Sequence, residues 1–359
     1  MGSGRKLSAE LSEALELVAP GTQLREGIEN IIRAGNGGLV VAANPEELEG
    51  SLVSGGMELG CEFTAMRLYE LAKMDGAILI TSDFSTIYHA NVQLNPDPDL
   101  PSRETGMRHL AAHRTAQQTG ALAIAISERR RVVTLYPGER PPRILQGTQA
   151  ILNKSDSALA TLEKYTRRLR EEVRLLSIHE HEGTVSLREV VGTLRTFEYT
   201  IHITEEIEDY LKELGREGRL ISMQLDQSSR WVPRQHEALI RDYVPEGRTY
   251  EEAKERLLNL GTEQLSDSIE LAKALGYRQE ELSEGKLLRP RGYRQLARVS
   301  RLPKEVAQRL VEEFGSLESL MEASEEELSE VKGVDEARAR TIRRALESLE
   351  ELGVPERVG

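Results

Sequence analysis

No stretch of this sequence approaches roughly 18 uninterrupted apolar residues, so no membrane-spanning helix is expected. The opening residues, Met1 to Leu11, lack the apolar core of a secretory signal. A single cysteine, Cys61, rules out an internal disulfide and fits a reducing cytoplasm. No Gly-x-x-x-x-Gly-Lys-Ser/Thr segment occurs, which excludes a P-loop, and no Ser/His/Asp or Cys-nucleophile pattern is present. Positive charge is in deficit: 47 Lys and Arg against 60 Asp and Glu leave the chain at −13. Such a chain does not coat nucleic acid over its whole surface. Binding to DNA or a polyphosphate must come from local basic patches.

What is present is an ordinary globular composition, 39% hydrophobic and 30% charged over 359 residues, enough for two or three domains. The first third alternates. Apolar spacing predicts helices over Ala9 to Val18, Leu24 to Ala34, Ala65 to Lys73 and Met107 to Thr119. Short apolar runs between turn residues predict strands at Leu39 to Ala43, Ala77 to Ile80, Ile87 to Val92, Ala121 to Ser127 and Val132 to Leu135. The expected fold class is an α/β N-terminal domain, a mixed sheet flanked by helices, over residues 1–147.

From about residue 148 the strand signals stop. Leu159, Leu162, Leu169, Val173 and Leu176 form an amphipathic stripe, broken at Gly183. Further helices are predicted at Leu187 to Leu194, Ile203 to Leu214, Gln235 to Asp242 and Tyr250 to Leu258, giving an all-helical spine over 148–288. Ser228 to Gly247 is the least periodic part and reads as including a long loop. Over 289–359 the character changes again. Arg289, Arg291, Arg294, Arg298, Arg301, Lys304 and Arg309 meet one acid, Glu305, between residues 289 and 309. Two helix-hairpin-helix units can be drawn, turning at Arg301-Leu302-Pro303 and at Lys332-Gly333-Val334-Asp335.

Three segments could carry chemistry. Asp75-Gly76-Ala77 enters an apolar strand, and the reading is open between a turn and a carboxylate facing a ligand. In the second case Asp75 holds Mg²⁺ or Mn²⁺, and Gly76 lets a ligand approach the backbone. Thr105-Gly106 opens a helix whose free N–H groups suit a phosphate, with Arg108 and His109 in its first turn. Basic residues there oppose the helix dipole, a mismatch that favours a functional reason over a solvated helix start. His109 and His113 stand at i, i+4, but no third zinc ligand accompanies them. Ser127 to Arg131 places three arginines in a hairpin, either a phosphate clamp or a solvated turn. In the tail, hairpin turns and helix N-termini offer N–H groups to DNA phosphates without reading bases. Arg298, Arg301, Lys304, Lys332 and Gly333 are the candidate contacts, and the alternative is a helical assembly module.

In order and spacing these segments resemble one family. Leu68 to Ala77, with Asp75-Gly76-Ala77, resembles the Asp-Gly-Ala region of the diadenylate cyclase domain. Tyr88 to Leu94 with Pro96-Asp97-Pro98, then Glu104 to Gly120, resemble the segments that follow it, the second being the Arg-His-Arg region. The helical middle, with Glu213 to Leu220, and Arg291-Gly292-Tyr293-Arg294 resemble the DNA-integrity-scanning branch. The resemblance implies condensation of two ATP into cyclic di-3′,5′-AMP and pyrophosphate by paired domains. It also implies a homo-octamer in the cytoplasm near the nucleoid, and binding of branched or junction DNA that lowers synthesis. By it, Asp75 takes the divalent metal and assists deprotonation. Gly76 and Leu94 meet adenine through the backbone, and Arg108, His109, Ser127 and Arg130 hold phosphates.

The chain departs from the family pattern at one point in the head. Where the family commonly reads Gly-Thr-Arg-His-Arg-Thr, this chain reads Gly106-Met107-Arg108-His109-Leu110-Ala111. Met107 and Ala111 replace two hydroxyls, and Leu110 replaces an arginine, all three expected at the pocket wall. Losing one donor in a transition state costs roughly a factor of 100. The rival expectation is therefore a silent relative that binds nucleotide and DNA. In the tail, Asp335 stands where the second hairpin usually has glycine, either repelling phosphate or capping the next helix.

Overall fold

Eight strands build one sheet in the computed structural model, which describes residues 9–48, 52–299 and 301–353. They are β1 (Gly38–Ala42), β2 (Val53–Ser54), β3 (Met57–Glu62), β4 (Ala77–Ile80), β5 (Thr86–Leu94), β6 (Leu122–Ser127), β7 (Val132–Pro137) and β8 (Arg143–Leu145). The order is β2-β5-β4-β1-β6-β7-β8, with β3 also paired to β5. Only β1 and β4 run parallel, Leu39 beside Ala77 through Ala42 beside Ile80. The two central strands are buried along their whole length, which is why they read as unbroken apolar runs.

Successive side chains of β1 serve opposite faces. Val40 packs in a core with Ile78, Ile124 and residues of α1 (Ala9–Leu17), α2 (Gln23–Arg33) and α3 (Ala65–Leu71), among them Leu15, Ile28, Ile31 and Leu68. Leu39 and Val41 belong to a second core with Ala123, Ala125 and the Ala112 and Ala116 methyls of α4 (Met107–Thr119). Alanine on both sides lets α4 lie close to the sheet. The mixed sheet with helices on it is the expected class. β2, β3 and β8 were not expected. They are short or at the margin, and β3 is almost wholly exposed with Gly60 at φ +66, so no alternation marks it.

The rest is helical: α5 (Thr148–Glu182), α6 (Leu187–Leu214), α7 (Arg219–Ser229), α8 (Val232–Tyr243), α9 (Tyr250–Leu258), α10 (Ser268–Leu275) and α11 (Gln279–Ser283). Then follow α12 (Tyr293–Leu296), α13 (Lys304–Phe314), α14 (Leu317–Glu322), α15 (Glu325–Glu330) and α16 (Glu336–Gly353). The two helices expected within 187–214 are one. Thr200 and Thr204 interrupt the apolar pattern, but their hydroxyls donate to the carbonyls of Thr196 and Thr200 at 2.7 and 2.9 Å, and the helix continues. The long loop expected within 228–247 is largely helix. Pro233 sits in the first turn of α8, where its missing N–H costs nothing. None of the described helices is long and apolar enough to cross a membrane.

Two compact units result, Lys6–Ser157 with Glu208–Ser222, and Ala158–Ile207 with the chain from Met223 on. The division passes through α5 and α6, whereas the changes of composition near 147 and 288 follow the sequence alone.

In the second unit a buried polar knot ties the tail to the spine. Both Asp242 oxygens accept from the backbone N–H groups of Gly292, Tyr293 and Arg294, at 2.7–2.8 Å. Arg294 donates to Glu180 at 2.7 Å and to Ser177 at 2.9 Å, while Tyr243 donates to Glu180 at 2.6 Å. Burial and the Glu180 carboxylate push the Asp242 carboxyl up to about 7, against the three N–H donors and Arg294.

Candidate functional site

A cleft of about 1260 Å³ opens beside α4, lined by β1, β4, β5, the start of α4, the β6–β7 hairpin and β8. It gathers Asp75, Gly76, Ala77, Leu94, Arg108, His109, Ser127 and Arg130, residues spread over more than fifty positions of sequence.

Asp75 lies just before β4, its side chain 97% exposed, and Arg108 reaches across to it at 3.0 Å. That reach depends on Gly37, at which a Cβ would overlap the Arg108 guanidinium and stand 3.1 Å from the Ile126 carbonyl. Nothing in the sequence beyond a Gly-rich turn pointed to Gly37. Gly76 lines the cleft and is also needed for packing. A Cβ there would overlap the backbone of Asn91, itself left-handed at φ 56 beside an irregularity in the β4–β5 pairing. The glycine admits the neighbouring strand at its Cβ position.

Helix α4 starts after Gly106 with no side-chain cap for its first amides, and Thr105, Gly106, Met107 and Arg108 line the cleft. His109 Nδ1 lies 2.9 Å from the hydroxyl of Tyr136, a fully buried β7 residue. Burial pushes the His109 imidazole below the usual histidine range; Glu104 opposes this, and Arg130 and Arg108 add to it. His113 points elsewhere, its Nδ1 2.8 Å from Ser102 Oγ. At the hairpin, Ser127 Oγ accepts from the Arg130 N–H at 3.3 Å, and Arg131 adopts φ 52. Met107, 88% exposed, and Ala111 line the cleft. Leu110 does not: the expectation that it forms pocket wall is corrected, because one helical position further round it turns away from the opening.

Among the described residues no cluster of three His, Cys, Asp or Glu could cage a metal. One exposed carboxylate at the edge of an open cleft is nevertheless the donor set that suits Mg²⁺ or Mn²⁺, which takes one or two carboxylates plus substrate oxygens.

The tail presents its cations unequally. Arg301 is exposed at φ 58 in the first hairpin, whose Val299 and Leu302 carbonyls accept from Arg234 of α8 at 3.5 and 3.4 Å. Lys304, a candidate phosphate contact, is exposed and paired with Glu237, an α8 acid that also holds Arg241. Arg298 donates to Gln295 at 3.4 Å, and burial and Arg294 hold its guanidinium below the usual arginine range. In the second hairpin Lys332 is exposed, and Gly333 takes φ 97. The carbonyls of these two residues accept from Arg309 and Arg338 respectively. Asp335 accepts from the Arg338 N–H at 2.7 Å, so the departure from glycine there is a helix cap.

Comparison with known proteins agrees along nearly the whole chain. Residues 25–140 match the family described as DisA bacterial checkpoint controller nucleotide-binding. Residues 145–283 match the DisA bacterial checkpoint controller linker region, and 293–348 the SAM-like helix-hairpin-helix tandem. The chain is similar to the DNA integrity scanning protein DisA of Clostridium kluyveri, 43% identical over 342 residues, covering 95% of this chain and 96% of that one. It is similar to the protein of the same name from Streptomyces coelicolor, 43% identical over 350 residues, covering 96% and 93%. A solved structure of a hypothetical membrane spanning protein from Bacillus cereus covers 35% of this chain and 62% of its own, at 23% identity and a TM-score of 0.31.

Proposed function

This chain belongs to the DNA integrity scanning protein family, with a diadenylate cyclase head and a helix-hairpin-helix DNA-binding tail, and from that premise we propose how its cleft works. Each cleft takes one ATP, and two heads face each other so that each 3′-hydroxyl attacks the α-phosphate of the opposite ATP. An O3′–Pα bond forms, the Pα–O–Pβ bond breaks, pyrophosphate leaves, and two such steps close cyclic di-AMP.

The observation that carries this reading is the convergence of an uncapped helix start, Arg108, His109 and Arg130 on one opening that also holds Asp75. Donors aimed at one place stabilise developing phosphate charge by position alone. The amides of α4 with Arg108, His109, Ser127 and Arg130 bind the phosphates. The backbone at Gly76 and Leu94 meets adenine, Ala77 closes the floor, and Asp75 lies at the 3′-hydroxyl whose proton it helps remove. A divalent cation, Mg²⁺ or Mn²⁺, when bound at Asp75, supplies Lewis-acid polarisation of phosphate oxygens. Before nucleotide arrives, Asp75 and Arg108 neutralise each other. ATP separates them, offering phosphate to one and hydroxyl to the other.

Because one half-site cannot close the ring, the working form holds paired heads, here assigned to a homo-octamer in the cytoplasm at the nucleoid. The segments 1–147, 148–288 and 289–359 act as cyclase, spine and DNA reader. Branched or junction DNA meets the tail at Arg301, Lys332 and the hairpin amides at Gly333. The test is conversion of ATP by the purified chain with Mn²⁺ or Mg²⁺, followed by chromatography: cyclic di-AMP is expected, and no product with nucleotide still bound overturns the catalytic reading. That second outcome has a specific basis, since Met107 and Ala111 bring no hydroxyl to the cleft. Restoring Thr at 107 and 111 with Arg at 110 would then raise synthesis from nothing.

A further inference from the structure

Between β5 and α4 the chain runs without regular structure from Asn95 to Gly106, with Pro96, Pro98 and Pro101 along it. Proline lacks an N–H, so such a segment builds no ladder of its own and takes its bonds from what it lies on. It lies on α4. The Asp97 N–H donates to Gln118 Oε1 at 2.9 Å, and Arg114 Nε donates to the Leu100 carbonyl at 2.9 Å. Ser102 Oγ is 2.8 Å from His113 Nδ1 and also accepts from the Glu104 N–H at 3.2 Å. The residues that follow Arg103, namely Glu104, Thr105 and Gly106, are cleft wall. We propose that His113, acting through Ser102, is a positioning residue of the nucleotide site, one that fixes the Glu104–Gly106 backbone before ATP arrives. The proposal deepens the nucleotide reading of the cleft and rests on it.

Residues 97, 100 and 102 meet 118, 114 and 113 in turn, so the segment runs antiparallel to α4 as a strap laced to one helix. Helical periodicity gives α4 three working faces. Ala112 and Ala116 meet the sheet, Met107, Arg108 and Ala111 meet the cleft, and His113, Arg114 and Gln118 meet the strap. His113 is the lace nearest the cleft wall. Its ring packs on that of Tyr136 at 5.3 Å between centroids, and Tyr136 is fully buried in β7. The lace is therefore anchored on the sheet as well as on the helix.

The lacing holds in either proton arrangement. A hydroxyl and an imidazole nitrogen can each donate or accept, so the Ser102–His113 bond stands whichever of them carries the proton. The other three bonds leave no choice, since a backbone N–H and a guanidinium only donate. With no hydroxyl at Met107 or Ala111, the start of α4 offers phosphate its backbone N–H groups together with Arg108 and His109. Backbone donors act only where the backbone holds them. A wall set in advance also loses no further freedom when ligand binds, whereas a loose segment would have to be ordered at that moment.

The experiment uses the full chain and 3′-deoxy-ATP with Mg²⁺, a probe that lacks the attacking hydroxyl and so binds without turnover. Its affinity is measured by isothermal titration calorimetry. Hydrogen–deuterium exchange is followed, without nucleotide, in peptides covering residues 95–106. In His113→Ala the affinity is expected to fall about fivefold, the equivalent of one hydrogen bond, with faster exchange confined to 95–106. His113→Asn keeps a polar group within reach of Ser102 and should restore both. The outer laces lie further from the wall, so Arg114→Ala should lose less affinity and Gln118→Ala least. A role in packing alone would lower the thermal midpoint without that order and without rescue by the asparagine variant. Unchanged affinity in His113→Ala, equal losses in His113→Ala and His113→Asn, or faster exchange spread over β6 and β7 overturns the proposal. Should His113→Ala fail to fold by circular dichroism, Ser102→Ala, at the other end of the same bond, decides both readouts. If the unchanged chain binds no 3′-deoxy-ATP, the nucleotide reading fails, while exchange over 95–106 still decides whether His113 holds the wall.

Discussion

Two arginine–carboxylate pairs in this chain have the same chemistry and opposite surroundings. Arg108 meets Asp75 at 3.0 Å, and the carboxylate is 97% exposed. Arg294 meets Glu180 at 2.7 Å, with 1% and 0% of the side chains exposed. The first pair is screened by water, holds no structure together, and can be exchanged for a ligand's groups at little cost. The second has given up its hydration, so each partner depends on the other and on Ser177, Tyr243 and Gln295. Geometry alone would not tell the pairs apart. Burial decides which is a site and which is a fastening.

Breaking the buried pair should have the largest effect. Glu180→Ala strands Arg294, and urea unfolding of the second unit should show a loss of about 3–5 kcal/mol. Arg294→Met combined with Glu180→Leu should keep more stability than either change alone; a double variant as weak as the singles would show the pair to be a net gain. Asp75→Asn should leave the unfolding transition where it is and lower cyclic di-AMP synthesis at least about 100-fold. Full activity in that variant removes Asp75 from the mechanism.

Acidity sharpens the comparison further. Asp242 has its pKa raised in the folded chain, to about 7, so the folded state holds the proton that the unfolded state releases. Its contribution is present below the unfolded carboxylate pKa and is lost as pH rises towards 7. The thermal midpoint of the unchanged chain relative to Asp242→Asn should therefore fall over that window and level off above it. A difference that rises with pH would mean the three N–H donors win over burial. Smallest of all, Asp335→Ala should cost about 1 kcal/mol through the lost cap of α16, with no change in synthesis.

Local periodicity made much of this legible. The bounds of α4 match the expected span, because the helix starts at a clear turn and ends at glycine. The central strands were legible because burial on both faces leaves only apolar residues. The spine was harder. Threonines that bond back to their own helix look like a break when only apolar spacing is counted. At the site, the residues with charge or a motif were found, and their supports were not. Gly37 has no side chain to notice, and Tyr136 sits in a strand whose apolar run makes a buried tyrosine look like core. Leu110 shows the converse, since adjacency in a motif says nothing about which way a helical side chain turns. The occupied state of Lys304 depends on Glu237, 67 residues away, a contact no local pattern encodes.

Arg131, in the β6–β7 hairpin beside the cleft, and Arg301, in the first hairpin of the tail, both have left-handed backbones that glycine would adopt without strain. A laboratory evolution campaign that rewards heat tolerance alone should drift towards glycine at both positions. The survivors would be sturdier proteins with less positive charge at these two turns. Screening for endurance would thus remove a cation from each of these turns, and a thermostable variant should be checked there first.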